Sequence, residues 1–181
     1  LERMIEMAPV VGRETDLPLF RERLSKKRAA MTATFENPTG NNHNFFGGLQ
    51  GANAIAILAG LGDEETYTNL VKRYRTLGKL DTGIFGTEAV PQVLFANGDG
   101  KLAAELLAST EDGTFDHWRR LGATTLWEYW AGDIKDRSHS HPMFGAAAAF
   151  LFSELAGIHG ETPGYRELRI QPVLFDGVTQ L

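Results

Sequence analysis

A carboxylate flanked by indoles is the feature of this chain whose residue types could do chemistry. Glu128 lies directly after Trp127 and two residues before Trp130, and two imidazoles, His139 and His141, follow a short polar loop later. The apolar faces of a pyranose stack on aromatic rings, while its hydroxyls and acetal oxygen need hydrogen-bond donors and acceptors. The sequence therefore predicts a sugar site in an enzyme that cleaves carbohydrates.

Glu128 is the sharpest candidate for a catalytic group, and a surface glutamate on an amphipathic turn is the alternative. Leu126 and Trp127 give it an apolar setting, which is expected to raise its pKa or at least to hold the side chain firmly. Two of the three tryptophans of the chain lie within two residues of Glu128, and this concentration favours the functional interpretation.

The two histidines are spaced so that a strand or an extended loop could present both of them to one ligand. A metal site would need at least one more strong ligand, and neither a His-Glu-x-x-His spacing nor any cysteine is present, so no metal and no cofactor are predicted. His141 is expected to hydrogen-bond a polar ligand, because Pro142 restricts the backbone after it and a helix N-terminus follows. A capping or loop histidine is the alternative.

Composition bounds the class of protein. The 181 residues suffice for one domain with a sizeable core. The net charge is −5 and acidic and basic residues are mixed along the chain, so nucleic acid is not an expected partner. No apolar run approaches the roughly 20 residues of a membrane span. The absence of cysteine fits a cytoplasmic location as well as a periplasmic or secreted one. Because the chain starts inside a helical pattern and stops in an apparent strand, it is expected to be a piece of something longer.

Consecutive helices with short links predict an all-α body followed by a short β-segment. Helices are expected at residues 1–8, from an Asp16 cap to Phe35, at 49–61, from an Asp63 cap to Leu77, and at 87–96, 99–108 and 143–158. A turn-rich loop is expected at 37–44. The β-segment is expected to begin with Tyr165, Leu168 and Ile170, followed by Pro172 and Val173.

The helix that begins at Asp16 carries two opposed faces. An apolar stripe is expected to face the core (Leu17, Phe20, Leu24, Met31, Phe35), opposite a basic cluster (Arg21, Arg23, Lys26, Lys27, Arg28). Because acidic residues lie beside the cluster, a solvated face is the favoured interpretation, and an anion site is the alternative.

Several segments together carry a resemblance to a known family. They are Gly-Ala-Thr-Thr-x-Trp-Glu at 122–128, the helix start Ser-His-Pro-Met-Phe-Gly at 140–145, Asp-Thr-Gly-Ile-Phe-Gly-Thr at 81–87, the helix at 98–107, and the exit segments 155–158 and 163–165. From about residue 45 onward, the chain resembles the bacterial α-L-rhamnosidases of glycoside hydrolase family 78. The Thr-Thr-x-Trp-Glu element is fairly specific to them.

The resemblance implies the later portion of an (α/α)6 toroid. Residues 1–160 would form part of the catalytic domain, and 161–181 the start of a C-terminal β-domain that leads into a β-sandwich. The family hydrolyses terminal α-L-rhamnosides with inversion, using one acid and one base, and its partners are rhamnose-containing oligosaccharides or glycosides. Matched by position, Glu128 is the general base and His141 binds the sugar, with Trp127 or Trp130 as an apolar wall.

Departures from the family pattern limit what the resemblance implies. Ser140 stands where Asn is usual, and Phe115 where Trp is common. The family's general acid lies in an acidic segment expected upstream of Leu1, so the isolated chain is expected to be inactive unless Asp81 or Glu88 supplies the acid. An incomplete toroid would also expose apolar helix faces, which predicts self-association.

Two other functions remain open from the sequence. One is an inverting (α/α)6 glycosidase that acts on a different sugar. The other is a non-catalytic helical module that binds carbohydrate or a protein partner through the same aromatic cleft.

Overall fold

Helices form the body of the molecule and a two-stranded sheet follows them, in a computed structural model that describes residues 1–36, 43–132 and 137–173. The described helices are α1 (Glu2–Val10), α2 (Leu17–Phe35), α3 (Ala52–Leu58), α4 (Glu64–Leu77), α5 (Ile84–Ala96), α6 (Gly100–Leu107), α7 (Phe115–Arg120) and α8 (Ala146–Phe150); the strands are β1 (Ile158–Gly160) and β2 (Leu168–Ile170). The predicted helical body with a short β-segment is confirmed.

Helices α3 to α6 share the hydrophobic core. Residues from all four are almost fully buried, among them Ala54, Leu70, Tyr74, Val90, Leu94 and Ala103. Helix α3 packs on α4, and α5 packs on both α3 and α6. The links α3–α4 and α5–α6 are only a few residues long and the linked helices contact each other, while their antiparallel direction stays a prediction.

Helix α4 begins and ends where the sequence predicts. The Asp63 carboxylate accepts a hydrogen bond from Thr66 N at 2.9 Å, and Thr66 Oγ1 accepts one from Asp63 N at 3.2 Å, which forms a reciprocal capping box. Gly78, in the left-handed conformation at φ 64°, ends the helix.

The α1–α2 hairpin packs mainly on itself. Its link to the core includes Arg28, whose Nε donates to the carbonyl of Ala59 at 2.9 Å. No residue of α2 is fully buried, and the predicted apolar stripe is only half-buried or exposed. The basic cluster is largely exposed, in agreement with a solvated face. Apolar side chains exposed on this hairpin and its link are Met4, Met7, Val10, Val11, Leu19 and Met31; self-association through them stays a prediction.

Asp16 stands at the N-cap position of α2, as predicted, but its side chain makes no capping hydrogen bond. Its carboxylate forms an ion pair with Arg13 at 2.7 Å, and the residue ends a short 3-10 turn, Glu14–Asp16, that leads straight into the helix. Within the described part of the chain, no helix combines the length and the apolar character needed to cross a membrane.

Other predicted helix bounds also need correction. The helix expected at 49–61 begins only at Ala52, because Gln50 and Gly51 adopt left-handed conformations at φ 48° and 81°. Helix α5 begins three residues earlier than expected, and the short helix α7 is not predicted. The turn-rich loop at 37–44 lies mostly outside the described residues.

The helix expected at 143–158 breaks into shorter pieces. A 3-10 turn (Pro142–Gly145) precedes α8, a π-turn (Leu151–Leu155) follows it, and Gly157 at φ 64° ends the helical run. The prediction of a single regular helix over 143–158 is therefore wrong.

Strand β1 pairs antiparallel with β2, with Ile158 opposite Ile170 and Gly160 opposite Leu168. Strand β1 is not predicted, Tyr165 lies in a 3-10 turn rather than in a strand, and Pro172 and Val173 follow β2. The hairpin straddles the proposed domain boundary at 160/161, which stays a prediction.

Candidate functional site

The connections at one end of the helical body contact one another. Thr82, before α5, accepts a hydrogen bond on its carbonyl from Trp130 Nε1 at 2.5 Å. Lys79 Nζ, after α4, donates to the carbonyl of Asp112 at 2.6 Å. Gly51, before α3, packs against Thr82 and Gly86. The segment with the aromatic motif, here called the site loop (residues 122–132 and 137–141), therefore lies where the other connections meet.

An aromatic cluster anchors the site loop to the core. Trp118, from α7, is 2% exposed and its Nε1 donates to the carbonyls of Tyr129 and Trp130, at 2.9 and 3.1 Å. Its ring stacks on Trp130 with centroids 4.6 Å apart, and Phe115 and Phe144 meet these rings edge-on. These contacts fix the backbone directly after Glu128.

Trp118 is absent from the predicted site residues, although a local signal for its helix exists. Thr114 Oγ1 accepts a hydrogen bond from His117 N at 3.3 Å, which caps α7. An acidic residue in the first turn and two arginines in the last complete a helix-terminus pattern that could have found α7. The two carbonyls that Trp118 binds are 11 and 12 residues away, and no local sequence pattern indicates these hydrogen bonds.

Two donors hold the carboxylate of Glu128. Oε2 accepts from Ser138 N at 2.9 Å, and Oε1 accepts from Arg137 Nη1 at 3.1 Å. The backbones of the same two segments are also joined, because Glu128 N donates to Ser138 O at 2.9 Å. The side chain remains 29% exposed, so solvent still reaches it.

The pKa of Glu128 lies below its ordinary value. The hydrogen bond from Ser138 N is the main cause, the hydrogen bond and charge of Arg137 and the charge of His141 add to it, and desolvation opposes it. The prediction that an apolar setting raises this pKa is therefore wrong. The indoles of Trp127 and Trp130 pack on other rings, and the two donors on the carboxylate outweigh its desolvation.

His139 ties together three parts of the site loop. Its ring lies parallel to that of Trp127, with centroids 4.2 Å apart and an interplanar angle of 12°. Its Nε2 is 2.8 Å from the carbonyl of Gly132, and its own carbonyl accepts a hydrogen bond from Thr125 Oγ1. One face of Trp127 is therefore covered by an imidazole.

His141 and Glu128 lie in two segments of the site loop that are joined by backbone hydrogen bonds, one of them from Glu128 N to Ser138 O. His141 N donates to the carbonyl of Leu126 at 2.7 Å, which fixes the start of the turn before α8. The side-chain Nδ1 is buried and has no hydrogen-bond partner among the described residues. The structure thus places the two predicted residues in paired segments of the site loop, and their roles stay predictions.

The predicted apolar wall is only partly open to a ligand. Trp127 and Trp130 are both half-buried, and Trp130 stacks on Trp118 while its Nε1 is bound to Thr82. Tyr129 is 50% exposed, and Phe85, in the first turn of α5, is 69% exposed. A sugar-stacking role for either indole stays a prediction.

The acids considered within the chain occupy different surroundings. Asp81 forms an ion pair with Arg73 and accepts a hydrogen bond from Tyr74 Oη at 2.9 Å, so it has a structural role. Glu88 is exposed on α5. Among the described residues, no group of three or more histidine or acidic side chains could hold a metal ion.

Phe115 and Ser140, which depart from the family pattern, both make contacts within or near the site loop. Phe115 packs edge-on against Trp118, Trp130 and Phe144, so an aromatic ring still fills this position of the cluster. Ser140 is exposed and its backbone N–H donates to Ser138 Oγ at 3.1 Å.

Paired helices, whose connections carry Glu128 next to an aromatic cluster, make this a helical-hairpin domain. Residues 1–155 match the model of the bacterial alpha-L-rhamnosidase 6 hairpin glycosidase domain, and the chain belongs to this family. An alpha-L-rhamnosidase of Streptomyces avermitilis is 31% identical over 104 residues, which are 51% of this chain and 10% of that protein.

Solved structures show the same fold. The alpha-L-rhamnosidase from Dictyoglumus thermophilum superposes with a TM-score of 0.83 at 25% identity, over 94% of this chain and 20% of that one. The Streptomyces avermitilis alpha-L-rhamnosidase complexed with L-rhamnose superposes with a TM-score of 0.80 at 23% identity, over 94% and 17%. The chain therefore spans a fifth or less of the length of these relatives.

Proposed function

We propose that this chain carries the general-base side of an inverting α-L-rhamnosidase site, with Glu128 as the base. The observation that supports this most strongly is the hydrogen bonding of its carboxylate by Ser138 N and Arg137. A general base must be ionised before it can take a proton from water, and these donors favour the ionised form. A general acid would need the opposite, a raised pKa.

The substrate in this proposal is a rhamnose-containing oligosaccharide or glycoside. Its support is family membership, together with the L-rhamnose bound to the Streptomyces avermitilis relative. His141 is proposed to hydrogen-bond a sugar hydroxyl, since the residue is half-buried and its backbone N–H is bound to the carbonyl of Leu126, two residues before Glu128. Trp127 or Trp130 is proposed as an apolar wall of the same subsite.

The acid that completes the pair is proposed to come from outside these 181 residues, as the family resemblance implies. An inverting site needs the two carboxyl groups about 6.5–9.5 Å apart, so that a water fits between base and sugar. Asp81 is a poor substitute, because Arg73 and Tyr74 already occupy its oxygens. The isolated chain is therefore proposed not to hydrolyse rhamnosides.

The test replaces Glu128 by Gln in the protein expressed from its natural gene, with an aryl α-L-rhamnoside as substrate. Turnover should fall by about two to four orders of magnitude, with folding and rhamnose binding largely retained. Glu105→Gln, at an exposed position of α6, is the matched control and should keep its rate. Near-normal turnover of Glu128→Gln would overturn the assignment.

Two further measurements separate this proposal from its rivals. Proton NMR of the first-formed sugar should show the anomer opposite to that of the substrate, as inversion requires. A panel of nitrophenyl glycosides should show hydrolysis of the rhamnoside alone. Cleavage of a different sugar would indicate another inverting glycosidase, and sugar binding without hydrolysis would indicate a binding module.

A further inference from the structure

We propose that Arg137 is a positioning residue for Glu128, which restrains the rotation of the carboxylate and supplies the positive charge beside it. This inference rests on the proposed function of Glu128 as general base. Nothing in the family resemblance assigns a role to Arg137.

The first step of the argument is the geometry of the two donors. Arg137 Nη1 binds Oε1 at 3.1 Å, and the N–H of the next residue, Ser138, binds Oε2 at 2.9 Å. Donors on both oxygens oppose rotation of the carboxylate about its last bond. A carboxylate has about four lone-pair positions, so sites remain for a water on the exposed side.

The second step is the anchoring of the segment that supplies both donors. Glu128 N donates to Ser138 O at 2.9 Å, so the backbone that carries the arginine is tied to the backbone that carries the base. The two donors and the carboxylate therefore keep fixed positions relative to one another. Loss of the guanidinium would leave the carboxylate held at Oε2 alone, by Ser138 N, with a weaker restraint on its rotation.

The third step concerns the charges that face Glu128. Among the described residues these are Arg137 and His141, together with the backbone N–H of Ser138. A histidine changes charge near pH 6.5, whereas an arginine stays protonated at every pH at which a protein is folded. Arg137 is therefore the constant positive charge beside this carboxylate.

The fourth step sets the size and kind of effect. The side chains of Arg137 and Glu128 are 53% and 29% exposed, so water screens the pair and its contribution to folding is small. The consequence should appear in the protonation and alignment of the base, and hence in the pH profile, rather than in the melting temperature.

The test compares Arg137→Gln and Arg137→Lys with the wild-type protein, in the form expressed from its natural gene, on an aryl α-L-rhamnoside. The acidic limb of kcat/KM should move to higher pH by about half to one unit in Arg137→Gln, because an opposite charge at this distance has been removed. At a fixed pH on the acidic limb, kcat/KM of Arg137→Gln should then be about three- to tenfold lower than that of the wild type. Arg137→Lys should restore most of the profile, because it returns the charge without the planar fork.

Arg169→Gln is the matched control, since Arg169 forms an exposed ion pair with Glu161 far along the chain, on the β-hairpin. Its pH profile should equal that of the wild type, and the melting temperatures of all variants should agree closely. An unmoved acidic limb in Arg137→Gln, with Glu128→Gln inactive, would overturn this inference alone. Full activity of Glu128→Gln would overturn the proposed function as well.

Discussion

The imidazole of His139 lies flat on the indole of Trp127, with ring centroids 4.2 Å apart and planes 12° from parallel. The same imidazole reaches the carbonyl of Gly132, and the His139 carbonyl is held by Thr125. One residue therefore joins the part of the site loop that precedes Glu128 to the part that follows it. The order of this loop depends on a contact that covers one face of a predicted sugar-binding ring.

Replacing His139 should separate its two contributions. In His139→Phe an aromatic ring can keep the stack while the bond to Gly132 is lost, and in His139→Ala both are lost. A stacked pair and a hydrogen bond are each worth roughly 0.5–1.5 kcal/mol, so Ala should lower the free energy of unfolding by about 1–3 kcal/mol and Phe by about half as much. Urea unfolding measures this, and exposed Ser140→Ala should change little. Equal losses in Phe and Ala would mean that the stack contributes nothing.

Loss of the His141 side chain should weaken the binding of rhamnose. A sugar hydroxyl that loses its partner in a desolvated site costs roughly 1–3 kcal/mol, so His141→Ala should reduce affinity about tenfold or more. Calorimetric titration with L-rhamnose measures the effect, and the melting temperature serves as the control. If the variant melts earlier but binds as before, His141 is a structural residue at the helix start.

The features that the sequence predicts well have local signatures. Asp63 caps α4 because the acceptor and Thr66 are only three residues apart, and such a pair is visible without a structure. Glu128 and His141 lie in paired segments because the motif that contains them is continuous apart from one polar loop. In both cases the information lies within a short stretch of chain.

The features that the sequence misses depend on distant partners. The left-handed conformation at Gly51 is packed against Thr82 and Gly86, which follow it by more than 30 residues. The lowered pKa of Glu128 depends mainly on the N–H of Ser138, ten residues away, while the neighbouring indoles pack on other rings. Apolar neighbours in sequence are therefore a poor guide to the solvation of a charged group.

His43 should make stability depend on pH near neutrality. Its Nδ1 lies 2.5 Å from Asp63 Oδ2, and the hydrogen bond to this carboxylate is the main reason that the pKa of His43 is raised. A raised pKa stabilises the fold below the ordinary histidine value of about 6.5, and this contribution is lost as the pH rises through the raised value. The pKa of Asp63 is lowered, mainly by Thr66 N, so its own contribution is lost only in strong acid.

The measurement for His43 is the difference in melting temperature between the wild type and His43→Gln. The difference should be large near pH 5 and should shrink steadily toward pH 8.5, where both proteins lack the positive charge. The same comparison in an Asp63→Asn background serves as the control and should give a much smaller trend, because the carboxylate beside His43 is lost. A difference that is constant over this range would show that the histidine acts through packing and not through its charge.

Gly132 is the position of the site loop where an added methyl group should be least tolerated. At φ 84° it has a left-handed backbone, and a Cβ would lie 2.7 Å from Trp127 Cζ3 and 2.8 Å from Leu121 Cδ1. Gly122 has almost the same backbone, φ 86°, but a Cβ there would meet nothing within 4 Å, which makes it the matched control. Gly122→Ala should therefore cost only the left-handed strain, about 1–2 kcal/mol. Gly132→Ala should cost about 1–3 kcal/mol more, because Trp127 must move off His139 to make room. Denaturant unfolding measures the free energy of unfolding of both variants. Equal losses would mean that the Trp127 indole shifts freely. A ring that shifts freely could not serve as a fixed wall for a sugar.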